Sequence, residues 1–336
     1  MNSRTVNTQW IGLAITTIVS ALTICAALRT IATARNRNAP VPVYFLSMGT
    51  AASATFYGGD AEKGALIVRE AFEEVEAAAS IFRADSPVAR LNATGSVRLQ
   101  AATPGRFDLA ALLRRTLDAS RETDGAFDPT VNPLMALWGF RAGGAPASEP
   151  TDEAVAAALG RVGWTNIVIA AAPDDGTSLA STDISFARPG MELDLGGIAK
   201  GAAIDYAFDK LRSAGFDNFL LNLGGNIRVS GRPEDGRDEW HVAVRDPANP
   251  SQTTGQTVFL RSGEAVATSG SYERYVEIGG RRYSHIIDPR TGRPVERQGS
   301  VSVIADTAER ADALSTAFFV QGLGAADGSA AVFRAP

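Results

Sequence analysis

The stretch Glu192-Leu193-Asp194-Leu195-Gly196-Gly197-Ile198-Ala199-Lys200-Gly201 organises the rest of the sequence. An apolar run ends at an aspartate, two glycines follow, and the pattern then predicts a helix to about Leu211. Glycines at a strand-to-helix turn let the backbone approach a ligand closely, and the first N–H groups of a helix favour an anion. The stretch therefore suggests a nucleotide site, with Asp194 on a base or ribose and Lys200 on phosphate. In isolation, a glycine turn that merely starts a helix is the simpler interpretation.

The composition is that of an acidic globular protein. The chain has 336 residues, of which 45% are hydrophobic and 21% charged, enough for one large domain or two ordinary ones. A net charge of −5 argues against general nucleic-acid binding, which needs a basic surface. The two histidines, His241 and His285, argue against a multi-histidine zinc site, and the single cysteine, Cys25, excludes a disulfide within the chain.

Residues 1–37 are predicted to form a membrane anchor or signal segment followed by a linker. No charged residue lies between Thr8 and Leu28, and about 20 apolar residues suffice to cross a bilayer as a helix. An uncleaved anchor is the first interpretation, and a cleavable signal or lipidation at Cys25 are the alternatives. Arginines flank the apolar run on both sides, so the charges leave its orientation open.

The remaining chain, residues 43–330, is predicted to form one α+β domain. Apolar periodicity and capping residues predict helices over about Asp60–Ile81, Asp108–Thr123 and Ala308–Val320, and a shorter helix that begins at Thr151. Strands come in groups rather than in strict alternation with helices, which favours α+β over a doubly wound sheet.

Glycine-rich dipeptides and polar clusters mark the predicted turns. Turns are predicted at Asp174-Asp175-Gly176 and Gly279-Gly280, and a strand over Asn218–Val229 is predicted to be interrupted by Gly224-Gly225-Asn226. A single strand is expected over Val258–Thr268, followed by a turn at Ser269-Gly270. The segment Asp85–Asn92 is polar and is expected to be turn-like.

Asp312 and Thr316 are the first candidates for metal ligands. They are four residues apart in a predicted helix and therefore share one face. A carboxylate and a hydroxyl are oxygen ligands that suit Mg²⁺, and Ser315 is a candidate to contribute directly or through water. The alternative is a polar helix edge on which Thr316 bonds back to a carbonyl.

His285 is the candidate general base. It lies in Ser284-His285-Ile286-Ile287-Asp288-Pro289, and a histidine with a pKa near neutrality is able to remove a proton from a hydroxyl. A structural histidine packed at a strand end is the alternative. His241 lies in an alternating strand, and it is interpreted as structural.

Together these motifs resemble the ApbE family of FAD:protein FMN transferases, over about Met48 to Gly322. The segments that carry the resemblance are Met48-Gly49-Thr50, Arg90-Leu91-Asn92, Asp124–Thr130, Leu137–Phe140, Asp194–Gly201, Asn222–Asn226, Ser269-Gly270, His285–Pro294 and Ala311–Thr316. Each is weak alone, but their joint occurrence in this order is specific. The resemblance implies a single T-fold-like α+β domain of mixed, mainly antiparallel sheets with flanking helices.

The resemblance also implies a set of site residues. Those expected at the flavin are Met48, Phe82, Ala126, Phe127 and Asp128. Those expected at the nucleotide side are Asp194, Lys200 and Ile287. Those expected at magnesium are Gly197 through its carbonyl, Asp312, Thr316 and, less directly, Ser315, whose position is an aspartate in some members. His285 is expected to act as base, with Asp288 orienting it or the metal ligands.

The implied reaction is Mg²⁺-dependent transfer of FMN from FAD to a threonine or serine of an acceptor flavoprotein, such as a redox-pump or reductase subunit, with release of AMP. The domain is expected outside the cytoplasm at the inner membrane. Two rival interpretations stay open: an FAD pyrophosphate hydrolase, and a non-catalytic FAD-binding membrane protein. A nicotinamide dehydrogenase is disfavoured because Gly196-Gly197 lacks the Gly-x-Gly-x-x-Gly spacing.

Overall fold

The structure is a computed structural model that describes residues 40–141, 144–172, 180–233, 237–249, 251–323 and 330–335. The predicted anchor over residues 1–37 and the predicted turn at Asp174-Asp175-Gly176 lie outside these ranges. Within them, no helix combines the length and the hydropathy needed to cross a membrane.

A seven-stranded sheet forms the centre of the domain. From edge to edge its strands are β1 (Pro40–Ser47), β2 (Thr50–Tyr57), β6 (Phe219–Leu223), β7 (Asn226–Ser230), β10 (Ala265–Gly270), β15 (Ser300–Ala305) and β16 (Ala330–Arg334). All neighbours pair antiparallel except the last two, which are parallel. The prediction of an α+β fold with mainly antiparallel sheets is confirmed.

Smaller antiparallel sheets surround this one. They are β3 (Ser96–Gln100), β5 (Ser181–Phe186) and β4 (Ile167–Ala171) in one sheet, and the pairs β8 (Trp240–Arg245) with β9 (Thr253–Leu260), β11 (Tyr275–Ile278) with β12 (Arg281–Ser284), and β13 (Ile287–Asp288) with β14 (Arg293–Pro294). Gly279 and Gly280 connect β11 to β12 with φ of 59° and 83°, which confirms the predicted hairpin.

Seven α-helices lie in the described part of the chain, and several begin directly after a capping residue. They are α1 (Ala61–Ala79), α2 (Pro87–Thr94), α3 (Leu109–Glu122), α4 (Asn132–Leu137), α5 (Asp152–Leu159), α6 (Ala199–Ser213) and α7 (Ala308–Gln321). The side chains of Asp60, Asp108, Thr151 and Thr307 each accept a hydrogen bond from a backbone N–H in the first turn of their helix. The predicted helices are confirmed to within two residues at most ends.

Helices α1, α6 and α7 cover one face of the large sheet, and the β8–β9 hairpin covers the other. Alternate residues of β10 point to opposite faces: Ala265 joins the core shared with the helices, and Val266 packs with Trp240 of the hairpin. The helical core also contains the fully buried rings of Phe72 and Phe219. Strands β10 and β15 are therefore buried on both faces, whereas β2 and β6 bury only alternate residues.

Helices α6 and α7 cross at Gly201. A Cβ built on Gly201 would lie 2.3 Å from the carbonyl oxygen of Ala308 and 2.5 Å from Cα of Glu309. Only a glycine permits this approach, because the opposing atoms are backbone and have no rotamer by which to move away. The crossing brings the start of α6 against the first turns of α7.

Three predicted boundaries were wrong. Asp85–Asn92 is not a turn: α2 begins at Pro87 after Ser86, whose hydroxyl accepts from the N–H of Ala89, a capping signal that the polar composition concealed. The expected strand Val258–Thr268 is two strands, because the chain turns at Gly263, where φ is 93°. Ser269-Gly270 is the end of β10 rather than a turn.

We expect Gly201→Ala to destabilise the protein by about 1–3 kcal/mol or more, because the methyl group forces α6 and α7 apart. Chemical denaturation of the variant and the parent measures the difference. Gly160→Ala is the matched control, since Gly160 has helical φ and ψ of −60° and −15° and a Cβ built there would meet nothing closer than 3.6 Å. Equal stability of Gly201→Ala and the parent would show that the helices do not touch there.

Candidate active site

The segment that precedes the glycine pair is extended but belongs to no sheet. The side-chain amide of Asn92 holds it on both sides, accepting from the N–H of Leu193 at 2.7 Å and donating to its carbonyl at 2.8 Å. The N–H of Asp194 donates to the carbonyl of Pro129 at 2.7 Å. The predicted strand-to-helix turn is therefore a loop-to-helix turn, fixed by long-range hydrogen bonds.

Asp194 is anchored by an arginine that sequence reasoning missed. One carboxylate oxygen accepts from the N–H of Gly196 at 2.8 Å, and the other pairs with the guanidinium of Arg141. Arg141 also donates to Asn132 at 2.6 Å and to the carbonyl of Phe140 at 3.0 Å. Both charged side chains are largely buried, so their mutual pairing offsets the cost of desolvation.

The start of α6 binds an anion, and that anion is the chain's own Asp312. The N–H of Gly201 donates to the Asp312 carboxylate at 3.1 Å. The ammonium of Lys200 lies 3.4 and 3.5 Å from its two oxygens and donates to the carbonyl of Gly196 at 3.0 Å. Asp312 is only 3% exposed, so these donors compensate a carboxylate that water barely reaches.

Thr316 and Gly197 lie beside Asp312. A Cβ built on Gly197 would lie 3.4 Å from the Thr316 hydroxyl and 3.1 Å from the Phe127 ring, so a larger residue would fill the space between loop and helix. Ser315 is different: it is fully buried, and its hydroxyl donates to the backbone carbonyl of Asp312 at 2.9 Å. It does not line the cavity, so its expected role as a direct metal ligand is corrected.

The oxygen atoms at this point suit Mg²⁺ better than a softer metal. Among the residues that the structure describes, no three His, Cys, Asp or Glu side chains form a metal-binding group. The oxygen atoms available here are instead those of the Asp312 carboxylate, the Thr316 hydroxyl and the Gly197 backbone. Proteins commonly bind Mg²⁺ with one or two carboxylates and leave other positions to substrate phosphates and water. The nearby Lys200 ammonium shows that a positive charge is already favoured here.

These groups open into a cavity of about 800 Å³, within the range of roughly 300–1,000 Å³ typical of small-molecule sites. All predicted site residues line it except Asp288 and Ser315. The lining residues from the sequence prediction are Met48, Phe82, Ala126, Phe127, Asp128, Asp194, Gly197, Lys200, His285, Ile287, Asp312 and Thr316. The structure thus gathers in one place residues that are distant in the chain.

Aromatic and apolar groups form another part of the cavity wall. The ring of Phe82 is 73% exposed, and the guanidinium of Arg141 lies 5.8 Å from its centre. Met48 adopts a left-handed φ of 50°, and its N–H donates to Glu76 at 3.1 Å. A large residue rarely takes that conformation unless its surroundings impose it. An exposed ring on a cavity wall is a surface on which a flat ligand can stack.

Asp128 lines the cavity but serves its own loop. Its carboxylate accepts from the N–H and hydroxyl of Thr130, at 2.8 and 2.6 Å, and from the N–H of Trp164 at 3.0 Å. Burial raises the pKa of this carboxyl, and the three hydrogen bonds oppose that rise. Asp128 therefore shapes the loop that carries Ala126 and Phe127.

One ring nitrogen of His285 is able to accept a proton. Its Nδ1 lies 3.1 Å from the backbone carbonyl of Arg274, and a carbonyl only accepts, so Nδ1 carries the proton and Nε2 has a lone pair. Burial, with the positive charge of Arg274 as a second cause, lowers the pKa of His285 to about 4. The imidazole is therefore neutral at pH 7.

Asp288 does not orient His285. Its carboxylate accepts from the backbone N–H of Arg290 at 2.9 Å and from the Arg290 guanidinium at 2.8 Å. This is a local turn that closes on itself, and its partner lies only two residues away, so the expected catalytic role of Asp288 is corrected. The imidazole is oriented by the backbone of Arg274 instead.

Polar residues of the cavity that were not among the predicted site residues include Arg141, Ser269, Glu273 and Arg274. Burial raises the pKa of the Glu273 carboxyl, while Lys200 and Arg245 act in the opposite direction. In the sequence, only the position of these residues close to the recognised segments pointed to them. Arg141 directly follows the Trp138-Gly139-Phe140 segment, Ser269 lies at the end of β10, and Glu273 and Arg274 lie between β10 and β11.

These features define a class of protein: an α+β enzyme whose cavity suits a ligand with a flat ring system and phosphates. A family model described as the ApbE family matches residues 48–332. An FAD:protein FMN transferase from Rhodobacter capsulatus is 42% identical over 215 residues, which are 64% of this chain and 38% of that protein. The chain therefore spans less than half of that relative's length.

Other relatives match over most of their length. An FAD:protein FMN transferase from Haemophilus influenzae is 33% identical over 253 residues, which are 74% of this chain and 70% of that protein. The crystal structure of an ApbE protein from Thermotoga maritima matches with a TM-score of 0.72 and 32% identity, over 84% of this chain and 87% of that one. The chain belongs to the ApbE family, a family of transferase enzymes.

We expect His285 to titrate far below an ordinary histidine. In a His241→Gln protein, His285 is the only histidine, and NMR of its ring protons should give a midpoint near 4 rather than the usual 6.5. Because the folded pKa is the lower one, the associated stability is present above pH 6.5 and is lost as the pH falls toward 4. A midpoint at or above 6.5 would contradict the buried, neutral imidazole.

Proposed function

We propose that this chain is an FAD:protein FMN transferase that moves FMN from FAD to a threonine or serine hydroxyl of an acceptor flavoprotein and releases AMP. The proposal rests on one observation. The same cavity has an aromatic and apolar wall, on which a flat ring can stack, and an end lined by oxygen atoms beside Lys200. Family membership and the names of the matched relatives support it.

The proposed orientation of FAD follows the chemistry of the wall. The isoalloxazine ring stacks near Phe82 and Met48, where the wall is aromatic and apolar. The AMP half lies toward Asp194, whose carboxylate Arg141 holds in place. The pyrophosphate lies between them, near Lys200, because its negative charge matches the ammonium.

Mg²⁺ is proposed as the cofactor, held by Asp312, Thr316 and the Gly197 carbonyl. Once bound, Mg²⁺ would supply charge neutralisation for the pyrophosphate oxygens. Ser315 is not among its proposed ligands, because its hydroxyl is bonded away from the cavity.

His285 is proposed to accept the proton of the acceptor hydroxyl on Nε2. The hydroxyl oxygen forms a bond to the FMN phosphorus, and the bond from that phosphorus to the bridging oxygen breaks. AMP leaves with the bridging oxygen, and Lys200 stabilises the charge that develops there. Because the pKa of His285 is about 4, the imidazole is unprotonated throughout the neutral range. A base with so low a pKa is a weak proton acceptor, so its assistance is expected toward the lower end of the roughly 10²–10⁴-fold that general-base catalysis contributes.

The acceptor is proposed to be a flavoprotein of the redox-pump or reductase kind at the inner membrane. The uncharged run from Thr8 to Leu28 supports an anchor, and the domain is proposed to lie on the extracytoplasmic side. Cell fractionation tests this: the full chain should sediment with membranes, and a protein that starts at Pro40 should not. Full recovery of the intact chain in the soluble fraction would contradict the anchor.

We expect Asp312→Asn to abolish flavin transfer, because the neutral amide binds Mg²⁺ poorly. Purified protein is incubated with FAD, Mg²⁺ and an acceptor, and labelling is measured by in-gel flavin fluorescence with AMP quantified in parallel.

In the same assay, His285→Gln should still bind FAD but transfer FMN about 10²–10⁴-fold more slowly. Asp183→Asn is the control, because that carboxylate pairs with Arg98 on the small sheet and does not line the cavity.

Three other outcomes would contradict the proposal in different ways. AMP release without labelling of any acceptor indicates the hydrolase. FAD binding with neither AMP nor labelling indicates a non-catalytic flavin-binding protein. Labelling by Asp312→Asn at the parent rate removes this carboxylate from the reaction.

A further inference from the structure

A chain of three hydroxyl groups lies directly behind the proposed cation site. The Ser269 hydroxyl, at the end of β10, lies 2.8 Å from the Ser315 hydroxyl and 3.2 Å from that of Thr316. The Ser315 hydroxyl lies 2.9 Å from the backbone carbonyl of Asp312. Ser315 is fully buried, so no water competes for these contacts.

Hydrogen-bond chemistry fixes the direction of two protons in this chain, those of Ser315 and Ser269. The Asp312 carbonyl only accepts, so Ser315 must donate to it. Ser315 has one proton, and the 2.8 Å contact must therefore be donated by Ser269. Ser269 has then also used its proton, so the remaining contact is donated by Thr316. The reverse order would leave two oxygens 2.9 Å apart with no proton between them.

The consequence concerns the Thr316 hydroxyl. Its proton points toward Ser269 at 3.2 Å or toward the backbone carbonyl of Asp312 at 3.3 Å. Neither contact uses its remaining lone pair, and Gly197 lies close to this oxygen, since a Cβ built on Gly197 would be 3.4 Å from it. A hydroxyl that is free to rotate would instead present its proton to an incoming cation for part of the time and would have to reorient on binding.

We propose that Ser269 and Ser315 are positioning residues that hold Thr316 as a cation ligand through this hydroxyl chain. The inference rests on the proposed function, because it takes the site of Asp312 and Thr316 to be a divalent cation site. It gives Ser315 a role other than the direct ligation expected from sequence, and it gives Ser269 a role that its sequence position alone does not suggest.

The test measures cation binding in the absence of FAD, with the full-length protein. Mn²⁺ is titrated and followed by electron paramagnetic resonance, and Mg²⁺ is then used as a competitor. Ser269→Ala and Ser315→Ala should each weaken binding on the order of 3–10-fold, the effect of losing about one net hydrogen bond. The double variant should be little weaker than the worse single variant, because both residues act through one chain.

Two further variants separate positioning from general structural damage. Ser269→Thr keeps the hydroxyl and should restore most of the parent's affinity. Ser120→Ala is the matched control, since Ser120 is a fully buried helix serine whose hydroxyl donates to the carbonyl of Thr116 at 3.1 Å. It should bind Mn²⁺ as the parent does, and thermal unfolding should show that all variants fold.

The proposal is overturned if the two alanine variants bind Mn²⁺ as tightly as the parent. It is also overturned if Ser315→Ala is as impaired as Asp312→Asn, because Ser315 would then be a direct ligand. Parent protein that binds no Mn²⁺ overturns the cation site itself. Binding and variant effects as expected, together with no flavin transfer, would leave the hydroxyl chain intact and contradict only the proposed reaction.

Discussion

The close crossing of α6 and α7 at Gly201 is the constraint on which the rest of the site depends. The absence of a side chain there lets the first turns of both helices meet, so the Asp312 carboxylate reaches the N–H of Gly201 and the ammonium of Lys200. Asp205, one turn further along α6, accepts from the N–H groups of Ala308 and Glu309 and pairs with Arg228. Asp205 of α6 thus caps the start of α7. This interaction fixes the position of the α7 face that carries Asp312 and Thr316.

The opposite wall of the cavity depends on hydrogen bonds between loops. Asn92 and the backbone of Pro129 hold the segment before the glycine pair, and Arg141 holds the carboxylate of Asp194. Each bond joins parts of the chain that are distant in sequence, and the groups that they orient are largely buried. A buried polar group without a partner is costly. The same interactions that make the fold specific therefore also fix the site before any ligand is bound.

The sequence predicted what local chemistry determines. Helix starts follow from capping residues such as Asp60 and Asp108, and the gathering of most site residues follows from the family resemblance. Arg141 was missed because its partner, Asp194, lies 53 positions away. Asp288 was assigned to catalysis because it lies close to His285 in sequence. Its carboxylate instead accepts hydrogen bonds from Arg290, two residues later. Long-range partners and self-contained turns are the two features that periodicity and spacing do not encode.

The central claim is that Asp312, Thr316 and the Gly197 backbone together form the cation site, with the phosphates of FAD beside it. The most direct measurement is anomalous diffraction from crystals grown with Mn²⁺ and FAD. We expect one strong anomalous peak in contact with an Asp312 oxygen, the Thr316 hydroxyl and the Gly197 carbonyl, next to the pyrophosphate. A peak elsewhere, or FAD bound with its pyrophosphate remote from Asp312, would contradict the claim.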